Sequence, residues 1–137
     1  MRRLNSTQGV EPRQRPADGP ELGQRSMLSL IAATAPDQFP SFAVALDEAI
    51  SRWMSAAESE SPGCLEQELS RMHALKSVTS ALGSCRIADA CEDLADALRS
   101  GEAIGSVRLR GCALAISAKR LLGRTTGQSL TGGRSHA

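Results

Sequence analysis

Apolar residues recur at spacings of three and four over about a hundred consecutive residues, from Ser26 to Gly123. This spacing collects them on one face of an α-helix, whereas a half-buried strand needs alternation, and no segment of useful length alternates. The chain has only three aromatic residues, Phe39, Phe42 and Trp53, which is unlike the aromatic-rich strands of a β-sandwich. The sequence therefore predicts an all-α protein.

Five amphipathic segments are predicted, at about 26–35, 40–58, 62–82, 85–99 and 103–122. Ser61 before Pro62 is typical of a helix start, and Gly83 followed by Ser84 is typical of a left-handed stop and a new N-cap. Helices of this length with short connections favour an up-down antiparallel four-helix bundle, to which the first short segment adds an extra N-terminal helix.

The two ends of the chain differ from this region in composition. Residues 1–25 contain three prolines and three glycines among polar residues, and residues 124–137 are rich in glycine, serine and threonine. Neither stretch has a usable period. We therefore expect a disordered N-terminal tail at 1–25, a helical bundle at 26–123 and a disordered C-terminal tail at 124–137.

The charge distribution disfavours several classes of protein. Residues 26–100 carry five basic and eleven acidic residues, which does not suit a nucleic-acid-binding core, and the few aromatics offer no stacking platform. The basic residues of the last helix (Arg108, Arg110, Lys119 and Arg120) could instead influence the choice of a protein partner. No apolar run approaches the roughly 20 residues that span a bilayer. The polar first residues do not resemble a secretory signal, so we expect a cytoplasmic protein without membrane contact.

The cysteines indicate neither disulfides nor a metal site. Cys64, Cys85, Cys91 and Cys112 form no C-x-x-C pair, and no histidine stands at metal-ligand spacing from them. We expect reduced thiols, with Cys91 and Cys112 as small core residues because they fall on apolar helical stripes.

His73 is the residue best suited to chemistry, because the other histidine, His136, lies in the predicted tail. At 100° per residue His73 points about 130° away from the centre of the apolar stripe on its helix, and therefore toward solvent. Ser70 and Ser77 flank it one turn away, leaving room for another macromolecule, and Lys76 stands at i+3. Lysine is rare here, at two residues against 14 arginines. An imidazole is a nucleophile near pH 7, and a cation beside it would offset the charge of an attached phosphoryl group.

The sequence around this residue resembles the histidine phosphotransfer (HPt) domain family. The resemblance is carried by His73-Ala74-Leu75-Lys76-Ser77, by Leu82-Gly83 nine and ten positions after the histidine, and by the following helix and glycine loop from Ile87 to Glu102. It covers about 26–124, and its most specific part is 72–102. Ser77 stands where the family more often has glycine, a mild departure because serine is also small.

This resemblance implies a four-helix bundle with a phosphorylatable histidine exposed midway along one helix. His73 would accept a phosphoryl group from an aspartate of a receiver domain in a response regulator or hybrid kinase, and pass it to another. Lys76 would steady the phosphorylated ring, Ser77 would allow docking, and Glu66, Ser70 and Ser80 would lie on the partner surface. The chain would be a monomeric phosphoryl carrier rather than an enzyme, with no cofactor or metal of its own, since the receiver would supply Mg²⁺.

Two alternatives remain at the level of sequence. The chain could be a helical docking or regulatory module that binds a receiver or kinase without phosphorylation. The phosphoacceptor helix pair of a sensor kinase is disfavoured, because Ala74 follows the histidine where that family has an acidic residue, and because the chain contains no ATP-binding domain.

Overall fold

A computed structural model describes residues 21–23 and 25–134 of the chain. Within this range all regular structure is helical, with no strand. The helices are α1 (Met27–Thr34), α2 (Phe39–Ser59), α3 (Leu65–Thr79), α4 (Cys85–Arg99) and α5 (Ile104–Arg134), and a 3₁₀ turn, Ser80–Leu82, joins α3 to α4. The all-α prediction is confirmed, whereas most of the predicted N-terminal tail lies outside the described residues.

The junction between α3 and α4 follows the predicted local signals. The hydroxyl of Ser84 accepts a hydrogen bond from the backbone N–H of Ile87 at 3.2 Å, so Ser84 is the N-cap of α4. Gly83 before it has φ = 65°, the left-handed conformation that favours glycine. The predicted start of α3 at Ser61 and Pro62 is wrong, because the helix begins only at Leu65. There the side chain of Gln67 turns back to accept the backbone N–H of Cys64 at 3.0 Å.

The four longer helices share one core. α3 packs most extensively on α4, α2 packs on α5 and on α3, and α5 also contacts both α3 and α4. Trp53 and the side chains of Ile50, Leu75, Ile87 and Val107 are buried, as are Cys91 and Cys112, which confirms the expected core role of these two thiols. Leu65 is 47% exposed, because it lies at the very start of α3.

Both boundaries of the predicted bundle lie further out in the structure. α5 continues to Arg134, beyond the expected end at residue 123, since no proline interrupts it and the hydroxyls of Thr125 and Thr126 donate to carbonyls one turn back. At the other end, the backbone N–H of Gly23 donates to the carbonyl of Leu82 at 2.8 Å. The last part of the expected N-terminal tail is therefore attached to the 3₁₀ turn that follows α3.

A buried ion pair ties α5 to α3. Nε and Nη2 of Arg108 lie 3.0 and 2.8 Å from the two carboxylate oxygens of Glu68, and both side chains are buried. The same guanidinium also donates to the carbonyls of Ala57, Glu60 and Ser61 at the connection between α2 and α3. Arg108, expected to be a surface base, is therefore a structural residue and is not available to a partner.

No helix in the described part of the chain is both long enough and apolar enough to cross a bilayer.

Candidate functional site

The candidate site lies on the outer face of α3, in the second half of the helix. Met72, Leu75 and Thr79 turn inward and are buried, so the intervening positions on the opposite side face solvent. The hydroxyl of Thr79 donates to the carbonyl of Leu75 at 2.8 Å, which satisfies a buried polar group without a partner from another helix. The 3.6-residue period of α3 thus sets the direction of the site.

His73 is exposed, as the helical projection predicts. No hydrogen bond or ion pair joins its ring to another described residue, so this part of the chain leaves both ring nitrogens unengaged. The imidazole is therefore free to react with an incoming group, but any cleft around that group must come from a partner.

The neighbours of His73 on this face are small. Ser70, Ala74 and Ser77 are exposed, and none has a side chain long enough to cover the ring. Ser80 is also exposed, although it belongs to the 3₁₀ turn, where its hydroxyl donates to the carbonyl of Ser77 at 2.7 Å. On α3 itself the exposed side chains next to the imidazole are thus short, apart from that of Lys76 one turn further along the helix.

Glu66 is exposed as well, but it lies in the first turn of α3, two turns before His73. No contact joins its carboxylate to the ring in the described residues. The structure therefore places Glu66 at the end of this face rather than beside the reactive group.

Lys76 contacts an acidic residue of the neighbouring helix. Its Nζ lies 2.5 Å from Oε2 of Glu92 on α4, and the two side chains are 42% and 44% exposed. The hydrogen bond from Lys76 is the main reason why the pKa of Glu92 is lowered, and the charge of His73 adds a smaller effect in the same direction. The same hydrogen bond raises the pKa of Lys76. The sequence analysis did not identify Glu92, because the pair is 16 residues apart and depends on how α3 packs against α4.

A polar network behind α3 fixes the position of the helix. The indole N–H of Trp53 donates to the backbone carbonyl of Arg71 at 2.8 Å. The side chain of Arg71 pairs with Glu60 at 2.8 Å, and Glu68 is held by Arg108 as described above. These contacts tie α3 to α2, to the residue that follows α2 and to α5, so the outer face carrying His73 belongs to a helix that is held at several points.

The described residues contain no group of three or more His, Cys, Asp or Glu side chains arranged to hold a metal ion. What the site offers is an unobstructed nucleophile, a nearby ammonium and a carboxylate that binds this ammonium. In comparisons with protein families, with curated proteins and with solved structures, no match to this chain was found.

Proposed function

We propose that this chain is a histidine-containing phosphotransfer protein of a two-component phosphorelay, in which His73 carries a phosphoryl group between the aspartates of receiver domains. The observation that carries the proposal is the exposed, unengaged imidazole of His73 midway along a firmly held helix, with small exposed residues on both sides. The resemblance of residues 72–102 to the HPt family supports the same conclusion.

The packing of the helices supports the finer architecture that this function implies. Each of the four longer helices contacts the next one along the chain, and α2 contacts α5, which would close a ring of four. The connections between them are short, and short connections favour antiparallel neighbours. We therefore infer an up-down antiparallel four-helix bundle with α1 added at one end.

The proposed transfer needs no group beyond the two partners. A ring nitrogen of neutral His73 attacks the phosphorus of an aspartyl phosphate, and an N–P bond forms while the bond from phosphorus to the carboxylate oxygen breaks. The aspartate leaves with the electron pair, and the other ring nitrogen releases its proton to solvent. Transfer to a second receiver reverses these steps, so the chain is a carrier and not an enzyme that turns over a substrate.

The neighbouring residues have distinct roles in this proposal. Lys76 offsets the charge of roughly −2 on the phosphoryl group. Ser77, Ser70 and Ser80 leave space for the receiver, and Glu66 lies at the margin of the docked surface. The receiver supplies the Mg²⁺, and phosphoryl transfer of this kind depends mainly on positioning and charge. We further propose that the carrier acts as a monomer in the cytoplasm.

The test is phosphotransfer from radiolabelled, phosphorylated receiver domains of the same organism to the purified chain. We expect acid-labile label on the wild type, none on His73→Gln, and wild-type labelling of His136→Gln, which removes the other histidine. His73 is exposed, so the His73→Gln variant should keep its thermal midpoint. Label persisting in His73→Gln would refute the mechanism. Receivers that bind wild type and His73→Gln equally, with no transfer to either, would identify a docking module instead.

A further inference from the structure

The ammonium that the proposed function assigns to the phosphoryl group is already bound to another anion. Lys76 pairs with Glu92, and both groups are partly exposed at the seam between α3 and α4. Exposed ion pairs of this kind contribute little to stability, because solvent screens their attraction. The ammonium is therefore held, but weakly enough to be taken by a stronger anion.

A phosphoryl group on His73 would be such an anion. It carries roughly twice the charge of a carboxylate and offers three acceptor oxygens. Lys76 stands at i+3 from His73, one turn along the same helix, and residues at this spacing are neighbours on the helix surface. The Lys76 side chain can therefore approach the ring without any contact from α4. Glu92 instead draws the ammonium toward α4.

We propose that Glu92 competes with the phosphoryl group on His73 for the Lys76 ammonium, and thereby weakens the hold of the site on that group. This inference rests on the proposed function. A carrier that binds its phosphoryl group too firmly could not pass it on. Glu92 binds the ammonium again as the phosphoryl group leaves. This ion pair stabilises the empty carrier relative to the loaded one.

The experiment uses phosphoramidate, which phosphorylates histidine without any protein partner. The N–P bond of phosphoramidate breaks and ammonia leaves with the electron pair, while the unprotonated ring nitrogen of His73 forms the new N–P bond and the other ring nitrogen gives up its proton. After removal of the reagent, mass spectrometry follows the lifetime of phosphohistidine at residue 73 in the full chain. The variants are Glu92→Gln, Lys76→Gln and the double variant.

The matched control is Asp93→Asn, which removes one negative charge from the same helix. Asp93 is exposed and borders a groove between α4 and α5, together with Arg110 and Ala113, on the flank away from α3. Thermal unfolding of each variant checks the fold, since a purely structural role for Glu92 would change the midpoint and leave the lifetime unaltered.

We expect Glu92→Gln to lengthen the phosphohistidine lifetime by about 1.4- to fivefold, the factor that corresponds to the interaction energy of an exposed ion pair. Lys76→Gln should shorten the lifetime, Asp93→Asn should leave it unchanged, and Glu92→Gln should bring little gain once Lys76 is absent. An unchanged or shorter lifetime in Glu92→Gln would overturn the inference, as would an equal gain with and without Lys76. Failure of the proposed function is distinct from these results, because it would appear as absent transfer from receivers while the chemically phosphorylated chain still responds to Glu92→Gln.

Discussion

Arg108 connects α5 to α3 and to the segment between α2 and α3. It forms a two-point ion pair with buried Glu68 and donates to the connection between α2 and α3. Replacing it in Arg108→Met would leave the buried Glu68 carboxylate with only one neighbouring cation, Arg71, whose Nε lies 3.6 Å away, and we expect unfolding to become easier by up to about 3–5 kcal/mol. Urea denaturation followed by circular dichroism would measure this loss. Arg110→Met is the matched control, since Arg110 pairs with Glu102 where both side chains are 49% exposed, and it should cost less than about 1 kcal/mol.

The same pair predicts how stability depends on pH. The hydrogen bond from Arg108 lowers the pKa of Glu68 below its ordinary value of 4.5, so the folded chain binds this proton less readily than the unfolded chain does. The stabilisation by Glu68 is therefore present above pH 4.5 and is lost as the pH falls through the lowered pKa. Urea titrations between pH 6 and pH 3 should show a shallower decline for Glu68→Gln than for the wild type. An identical slope for the two proteins would contradict this assignment.

Among the helices, the sequence correctly predicted the helix ends that are set by residues adjacent to them in the chain. The fourth segment was predicted to run from Cys85 to Arg99, and α4 has these bounds, because Gly83 and Ser84 provide a stop and a cap within the chain itself. The predicted start of α3 was wrong, because Pro62 is acceptable both in a first helical turn and in the connection before the helix. Arg108 instead binds the carbonyl of Ser61, and this contact from α5 has no local signal.

Two glycines of α5, Gly111 and Gly123, differ in the space that surrounds them. A Cβ at Gly111 would lie 2.9 Å from the Trp53 ring and 3.5 Å from Cε of Met72, whereas a Cβ at Gly123 would meet nothing within 4 Å. Alanine favours a helix over glycine by about 1 kcal/mol. We therefore expect Gly123→Ala to raise stability by up to about 1 kcal/mol and Gly111→Ala to lower it by about 1–3 kcal/mol, because the rigid indole must move. Chemical denaturation monitored by circular dichroism and by Trp53 fluorescence would measure both changes, and a stabilised Gly111→Ala would show that the helix contact is looser than described.

At the scale of the whole molecule, the contacts that the sequence could not predict are those between distant helices. The outward direction of His73 follows from the period of its own helix, and it was predicted correctly. The pairing of Lys76 with Glu92 and of Glu68 with Arg108 depends on which helix lies beside which, and a charged residue on one helix has many acceptable partners until that order is known. Glu92 was therefore given no role from the sequence, and Arg108 was wrongly expected to be a surface base. The contacts of both residues become evident once α3, α4 and α5 are packed together.

The four thiols test this packing as a whole. Cys64 and Cys85 are exposed, whereas Cys91 on α4 and Cys112 on α5 are buried, and burial raises the pKa of Cys91 to about 11. At pH 8 we expect Ellman's reagent to modify two thiols rapidly and the other two only as fast as the core opens, with all four reacting in denaturant. The Cys64→Ser/Cys85→Ser variant should lose the rapid phase and keep the slow one. Because the two slow thiols lie on different helices, equal slow rates would indicate that α4 and α5 open together, and a third rapid thiol would show that one of them does not pack as described.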